Sequence, residues 1–464
     1  MTHSLRKDSL SFFESLTLGV AGSGPANAIS LAMGALIGTA GLRSPLYVLI
    51  FAVPMLGIAL AYKALNKRVT HAGAAFNWVG LTFGKFHGFM SGWALITAQM
   101  IFIISGVVPL STAVLDFINP NLANSVPLTT GLSAVWFLAI VGVIMFGIKT
   151  TSYLQILMVA FEMLVLLAVG AAALVHAHGM AYANPWSWHA YSPGYFFSSA
   201  TMPEFSAAAL SVIFLYWGWD VTANLGEETA NGEHAAGNGG LSGVFVTIFL
   251  YSLYAIATLM LLTAAQTSND SSNLLYSIAL AAGLGRTGGL IVSIAVIFSS
   301  AATVQTGMLQ VTRTLFAMGR DGALPFNFGK VSPRTQNPST GTWWLIGTGL
   351  AGILITGFMP SVSAILSDAV AASGLQVAYY FGMAGLVCFW VHRKAYRTSW
   401  GQYLLYGVYP GLSAVGLIAT GLYAITTFNR TTAAVGIGTL LAGVLFFRPR
   451  RYVVEGELAA VTTE

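Results

Sequence analysis

Residues 18–30 read LGVAGSGPANAIS and fall inside the first long apolar run of the chain, residues 12–39. In a helix interior, glycine costs about 1 kcal/mol relative to alanine, and proline about 3 kcal/mol. The cluster Gly22-Ser23-Gly24-Pro25 therefore interrupts a helix that its flanks would otherwise build. What such an interruption means depends on the solvent around it.

Composition identifies that solvent. Of 464 residues, 56% are hydrophobic and 8% are charged, whereas a soluble domain carries about 25% charged residues. Apolar windows of about 20 residues, each long enough to cross a bilayer as a helix, recur from end to end. A transmembrane β-barrel would show short alternating segments instead. The sequence thus reads as an all-α polytopic membrane protein forming a single membrane domain. About twelve transmembrane helices are expected, at 12–39, 43–63, 86–114, 128–148, 150–176, 204–229, 240–264, 287–318, 341–359, 362–391, 403–425 and 432–448. Residues 66–84 suit an interfacial helix, 179–203 form the longest loop, and 265–286 are another polar-to-amphipathic connection. Residues 449–464 read as a cytoplasmic tail, disordered over VVEGELAAVTTE.

The basic residues orient the chain. With twelve spans and both termini on one side, only Arg43, Arg286 and Arg430 fall on the far side, and the remaining seventeen of twenty Lys and Arg share the near side. Under the positive-inside rule the near side is cytoplasmic, which places the protein in the plasma (inner) membrane. The sequence pI near 9.2 reflects these membrane edges and points to no nucleic-acid partner.

Several chemistries drop out. Cys388 is the one cysteine, which excludes an internal disulfide and a thiolate metal cluster. The histidines show no metal spacing: His176 and His178 sit at an outer helix end, and His71, His87, His234 and His392 at loops or edges. There is no P-loop, no cofactor motif, and no span pairing a nucleophile with a base, so an enzyme is not expected.

A second interruption lies in the sixth span, FLYWGWDVTANLGEETANGE, where Gly218 stands between Trp217 and Trp219 and is followed by Asp220. Spans one and six open two consecutive five-helix sets, residues 12–176 and 204–391, with 403–448 left as two accessory helices. An odd repeat length inverts the second set in the membrane. Matching broken helices in inverted halves mark a transport site at the bilayer midplane. In the first break Ser23 or Gly24 serves as N-cap and Pro25 as the first residue of a new half-helix. The free amides of residues 24–27, Ala26 among them, suit a carboxylate, and the carbonyls before the break suit an ammonium. A plainer alternative is a proline kink with close small-residue packing. Tyr216, Trp217 and Trp219 read either as pocket wall or as apolar packing. Asp220 reads either as a contact for a substrate amine or, slightly favoured, as a group stabilising the second half-helix N-terminus.

These residues resemble the amino acid–polyamine–organocation permease superfamily, in particular its bacterial amino acid permeases. The resemblance covers residues 12–400 and rests on GSG in the first span, on GFMSGW and ITAQM in the third, and on Glu227-Glu228-Thr229. Its most specific part is the run FAMGRDGALP after the eighth span. The resemblance implies the five-plus-five inverted-repeat fold of leucine-transporter type, alternating access, and substrate contacts around Gly22, Ser23, Gly24, Tyr216, Trp217 and Gly218. Pro25 and Ala26 depart from the family's bulkier residues, and ANGEHAAGNGG replaces its proline-bearing stretch after the sixth span.

Three carboxylates lie well inside expected spans, away from their ends: Glu162, Asp220 and Asp368. Ionisable groups there are costly and functional by default, which makes Glu162 the candidate for proton coupling. Some permeases of the family carry a lysine at this place, so a glutamate reverses the charge logic. Gln99, Ser299, Ser300 and Thr303, with Thr306, are candidate ion or gate residues, although helical hydroxyls more often bond their own backbone. Glu227 and Glu228 suit a gate or an interfacial charge pair. The function expected is secondary active transport of neutral or apolar amino acids, coupled to protons or run as exchange. The alternative is a polyamine or organic-amine permease that uses Asp220 and Glu162. The partners expected are the small-molecule substrate, membrane lipid and a co-transported proton.

Overall fold

Ser11 starts the first helix with a capping box: its Oγ accepts from the Glu14 amide at 3.3 Å, and its own amide donates to Glu14 Oε2 at 2.7 Å. Helix α1 (Phe12–Ser23) then ends at Gly24, which adopts φ +47° and begins α2 (Pro25–Ala28) with Pro25 in its first turn. A π turn (Ile29–Met33) leads into α3 (Gly34–Ala40). The GSGP stretch is therefore a true interruption of one long helical path. The computed structural model describes residues 4–178, 200–263, 274–324 and 327–448, with 183–184, 194, 266–267, 452 and 458.

The first half continues through α4 (Ser44–Arg68), α5 (Ala75–Phe83), α6 (Lys85–Gly106), α7 (Val108–Ile118), α8 (Pro120–Ala123), α9 (Val126–Met145) and α10 (Ile148–His178). The third expected span is split at Val107, where Pro109 enters the first turn of α7. The first part of helix α5 is buried. Phe76 and Trp78 are fully buried, because the Trp78 indole donates to the Val69 carbonyl at 2.8 Å and α5 packs on α6.

The second half contains α11 (Met202–Leu215), α12 (Val221–Asn224), α13 (Gly232–Leu261), α14 (Leu274–Ala281), α15 (Gly285–Arg320), α16 (Ser339–Thr356) and α17 (Val362–His392). It is followed by α18 (Trp400–Gln402), a π turn (Tyr403–Val408), α19 (Tyr409–Ala424), α20 (Arg430–Ala433), a second π turn (Ala434–Gly438) and α21 (Thr439–Phe446). Eight helical stretches among the described residues are long and apolar enough to cross a membrane, one of them running through the first two expected spans. Shorter apolar helices cover Met202–Leu215 and Arg430–Phe446. The chain is thus a helical, multi-pass membrane protein. The 179–203 loop and the tail lie mostly outside the described residues. Tyr452 of that tail is buried and stacks on Phe76 with ring centroids 5.1 Å apart.

The packing partners recur in pairs. Helix α10 lies along α15, and α17 lies along α6. Helix α1 touches α10, and α11 touches α17. Helix α4 packs on α13, which also receives α1, and α11 reaches α4. The core therefore gathers around the two interrupted paths.

Candidate functional site

The two breaks meet. Gly218 adopts φ +101° between α11 and α12, a conformation natural to glycine and strained for other residues. A Cβ added to Gly22 would overlap the Gly218 carbonyl, and one added to Gly218 would overlap the Gly22 carbonyl. Two backbones approach this closely only where neither carries a side chain. Beside their junction is a cavity of about 10 Å³ lined by Gly22, Ser23, Asn27, Gln99, Trp217 and Thr303, with Phe102 and Phe214 closing it. That is room for one water at most, so the site is shut in this conformation. Trp217 stands edge-on to Phe102 at 5.8 Å and to Phe214 at 6.2 Å.

The first break is held by a carboxylate. Glu162, fully buried on α10, accepts from the Ala26 amide through Oε1 at 2.8 Å and from Ser299 Oγ at 2.7 Å. The Asn27 amide donates to Ser299 Oγ at 3.0 Å, and Ser300 Oγ donates to Asn27 Oδ1 at 2.8 Å. The Ala26 and Asn27 amides, which the sequence leaves free for a ligand, are therefore occupied. The positive end of the half-helix is already met by the protein's own carboxyl group. Tyr251 donates to the Ser23 carbonyl at 3.2 Å, taking one acceptor before the break. Among the described residues, Glu162 Oε2 has no hydrogen-bond partner.

Asp220 occupies the N-cap position of α12, yet its side chain caps no amide. Its Oδ2 instead accepts from Gln310 Nε2 at 2.8 Å and from the Tyr380 hydroxyl at 3.0 Å. Tyr380 accepts from the Trp217 indole at 2.5 Å, and Gln99 donates to Gln310 Oε1 at 2.5 Å. Helices from the third, eighth and tenth expected spans thus converge on the second break. Asp220 does not line the cavity. Trp219 packs between Tyr62 at 5.3 Å and Phe381 at 5.4 Å, and the Tyr216 hydroxyl donates to the Val48 carbonyl at 3.1 Å. Neither ring lines the cavity in this conformation. Thr303 reaches the cavity while its hydroxyl donates to the Ser299 carbonyl at 2.6 Å, and Thr306 likewise bonds Ala302.

At the basic-rich end, Glu228 receives Arg313 in a two-point pair at 2.8 and 3.0 Å, both side chains buried. Glu227 receives Arg320 at 2.8 and 2.9 Å and the Ala72 amide at 2.8 Å. Burial pushes the Glu227 carboxyl upward, but Arg320, His71 and the Ala72 amide together hold it below the ordinary carboxylate range. His71 lies in the connection between α4 and α5, as expected, but is buried there, 3.3 Å from Asp321. The N-terminal segment closes over this end: the Ser9 and Leu10 amides donate to the Glu228 carbonyl, and Lys149 bridges the Ser9 carbonyl and Glu14. At the opposite end Arg43 pairs with Glu204, which also accepts from Tyr47 at 3.3 Å. Asp368 is not deep in its span. It is half-buried and accepts from Asn429 and Thr432 at 2.7 Å.

Sequence reasoning assigned no site role to Asn27, Gln310, Tyr380, Tyr251 or the arginines Arg313 and Arg320. Polar residues in apolar helices were the available signal, but only tertiary packing shows which of them share a partner.

The sequence profile of the family described as amino acid permease matches residues 10–447. A branched-chain amino acid permease of Bacillus subtilis is 28% identical over 68% of this chain and 70% of its own length. A branched-chain amino acid permease of Lactococcus lactis is 26% identical over 78% of the chain and 77% of its length. A serine/threonine exchanger of Bacillus subtilis is 23% identical over 89% of the chain and 92% of its length.

Proposed function

Because the chain belongs to the amino acid permease family, we propose that it carries neutral, apolar amino acids across the plasma membrane by alternating access around the joined breaks. The observation that carries this reading is the cavity at the Gly22–Gly218 junction. It is lined by backbone, amide and aromatic groups and by no charged side chain. An aliphatic side chain suits Phe102, Phe214 and Trp217, whereas a dicarboxylate or polyamine finds no counter-charge there. The branched-chain permeases among its relatives support the same substrate class. The paired helix contacts, α10 on α15 with α17 on α6 and α1 on α10 with α11 on α17, are those expected of a five-plus-five inverted repeat across twelve spans.

Coupling is assigned to Glu162. Its Oε1 occupies the Ala26 amide that a substrate carboxylate would seek. Proton uptake by Glu162 turns a charged acceptor into a weaker neutral one, which hands that amide to the substrate. Release of the proton takes it back. Proton and amino acid thereby move together, with both termini on the cytoplasmic side. The test is uptake in proteoliposomes with a substrate panel, with and without pH and sodium gradients. Saturable uptake of branched-chain amino acids that is driven by a pH gradient, and blocked by competitors only while they keep their carboxylate, is expected. Inhibition by simple amines, or binding without flux, would overturn the reading.

A further inference from the structure

A second cavity of about 450 Å³ shares no lining residue with the first. It lies where the end of α4 meets the start of α13, the end of α17 and the π turn before α19. Lys63, Lys67, Arg68, His234, His392 and Tyr406 line it, and no acidic residue does. Elsewhere at this end of the molecule carboxylates meet cations, as in Glu14–Lys149, Glu227–Arg320 and Glu228–Arg313. Lys63 and Lys67 enter no ion pair among the described residues, and His234 has the exposed Glu233 at 3.6 Å. Four residues apart on one helix, the two lysines repel each other unless an anion lies between them.

His392 lines the cavity as a buried, neutral wall: it is 5% exposed, and its Nδ1 donates to the Cys388 carbonyl at 2.9 Å. Next to the pocket, Trp400 is 65% exposed and Leu404 53% exposed, an apolar border against which acyl chains can lie. Basic pockets between transmembrane helices on the cytoplasmic side hold anionic headgroups.

We propose that this cavity binds a phosphate group, carried on an anionic phospholipid headgroup at the membrane surface or free in solution. The lysines supply charge, the Tyr406 hydroxyl can donate a directional hydrogen bond, and the exposed Trp400 and Leu404 favour the lipid-borne form.

The test titrates the delipidated full-length protein in detergent with phosphatidylglycerol, phosphatidylcholine and inorganic phosphate. Binding is read by thermal unfolding and by native mass spectrometry. Phosphatidylglycerol is expected to raise the unfolding midpoint and to remain bound, while phosphatidylcholine does neither. The Lys63→Gln/Lys67→Gln double variant should weaken that binding on the order of 30-fold. The Lys63→Arg/Lys67→Arg variant should retain it, which separates lost charge from lost fold. If inorganic phosphate alone gives the shift and displaces phosphatidylglycerol, the ligand is free phosphate. Equal binding by the Gln variant, or no shift with either anion, would overturn the proposal.

Discussion

The waist of this molecule and its basic-rich end treat buried carboxylates in opposite ways. At the end, Glu14, Glu227, Glu228 and Asp321 each meet Lys, Arg or His within 4 Å. At the waist, Glu162 and Asp220 are as deeply buried, and only neutral donors reach them among the described residues. Each also keeps one oxygen without a hydrogen bond. Paired charges act as latches, holding helices in one arrangement. A carboxylate without a counter-ion inside a membrane changes its energy most when it gains or loses a proton, and so it suits a working part.

The contrast predicts its largest effect at the end. Arg313→Gln leaves Glu228 buried beside a weaker donor, and breaking such a pair costs about 3–5 kcal/mol. The purified variant should unfold far below the parent in a thermal scan. Replacing both partners with methionine should recover much of the loss, because no uncompensated charge then remains. A double variant as unstable as the single one would show that this pair is not a latch.

At the waist the effect should fall on coupling rather than on fold. Glu162→Gln keeps an Oε1 acceptor for Ala26 and Ser299, so stability should stay within about 1 kcal/mol of the parent. Accumulation driven by a pH gradient should be lost, while exchange of substrate across the membrane persists. Asp220→Asn should leave the gradient response intact, because the Asp220 carboxyl is bonded by Gln310 and Tyr380 and by no residue of the first break. The reverse result, coupling lost at Asp220 and kept at Glu162, would move the proton site to the second break.

A smaller effect tests the pairing itself. Glu227 has its carboxyl held below the ordinary range by Arg320, His71 and the Ala72 amide, which together outweigh its burial. A depressed value means that its contribution is complete above the ordinary carboxylate pKa and fades as pH falls through the depressed one. The parent should therefore lose stability on acidification through that window. Glu227→Gln should be less stable near neutrality and flatter in acid, as thermal scans across pH would show.

The two regions were also unequally legible in the sequence. Apolar run lengths marked a helical multi-pass protein, and the Gly-Ser-Gly-Pro and Trp-Gly-Trp clusters located both breaks, because backbone constraints are written locally. The partners of the breaks were not legible. Glu162 is 136 residues from the Ala26 amide that it accepts from, and Tyr380 is 160 residues from Asp220. No local spacing encodes such contacts. The amides expected to await a ligand are occupied for the same reason: which side chain fills a helix terminus is decided by how distant helices pack. Trp219 and Tyr216 show the converse, since aromatics beside a break resemble a pocket wall until packing turns them away.

The smallest effect separates the break from its carboxylate. Ser300→Ala removes the hydroxyl that donates to Asn27 Oδ1 at 2.8 Å while leaving Glu162, Ser299 and the Ala26 amide in place. One hydrogen bond of this kind contributes about 1 kcal/mol. Asn27 lines the cavity, so its loosening should raise the KM for uptake by roughly fivefold, with kcat and the pH-gradient response unchanged. Ser300→Thr, which restores a hydroxyl, should recover the parent KM. If Ser300→Ala instead abolished the gradient response, Asn27 and Glu162 would have to act as one unit, and the coupling assigned to Glu162 would belong to the whole first break.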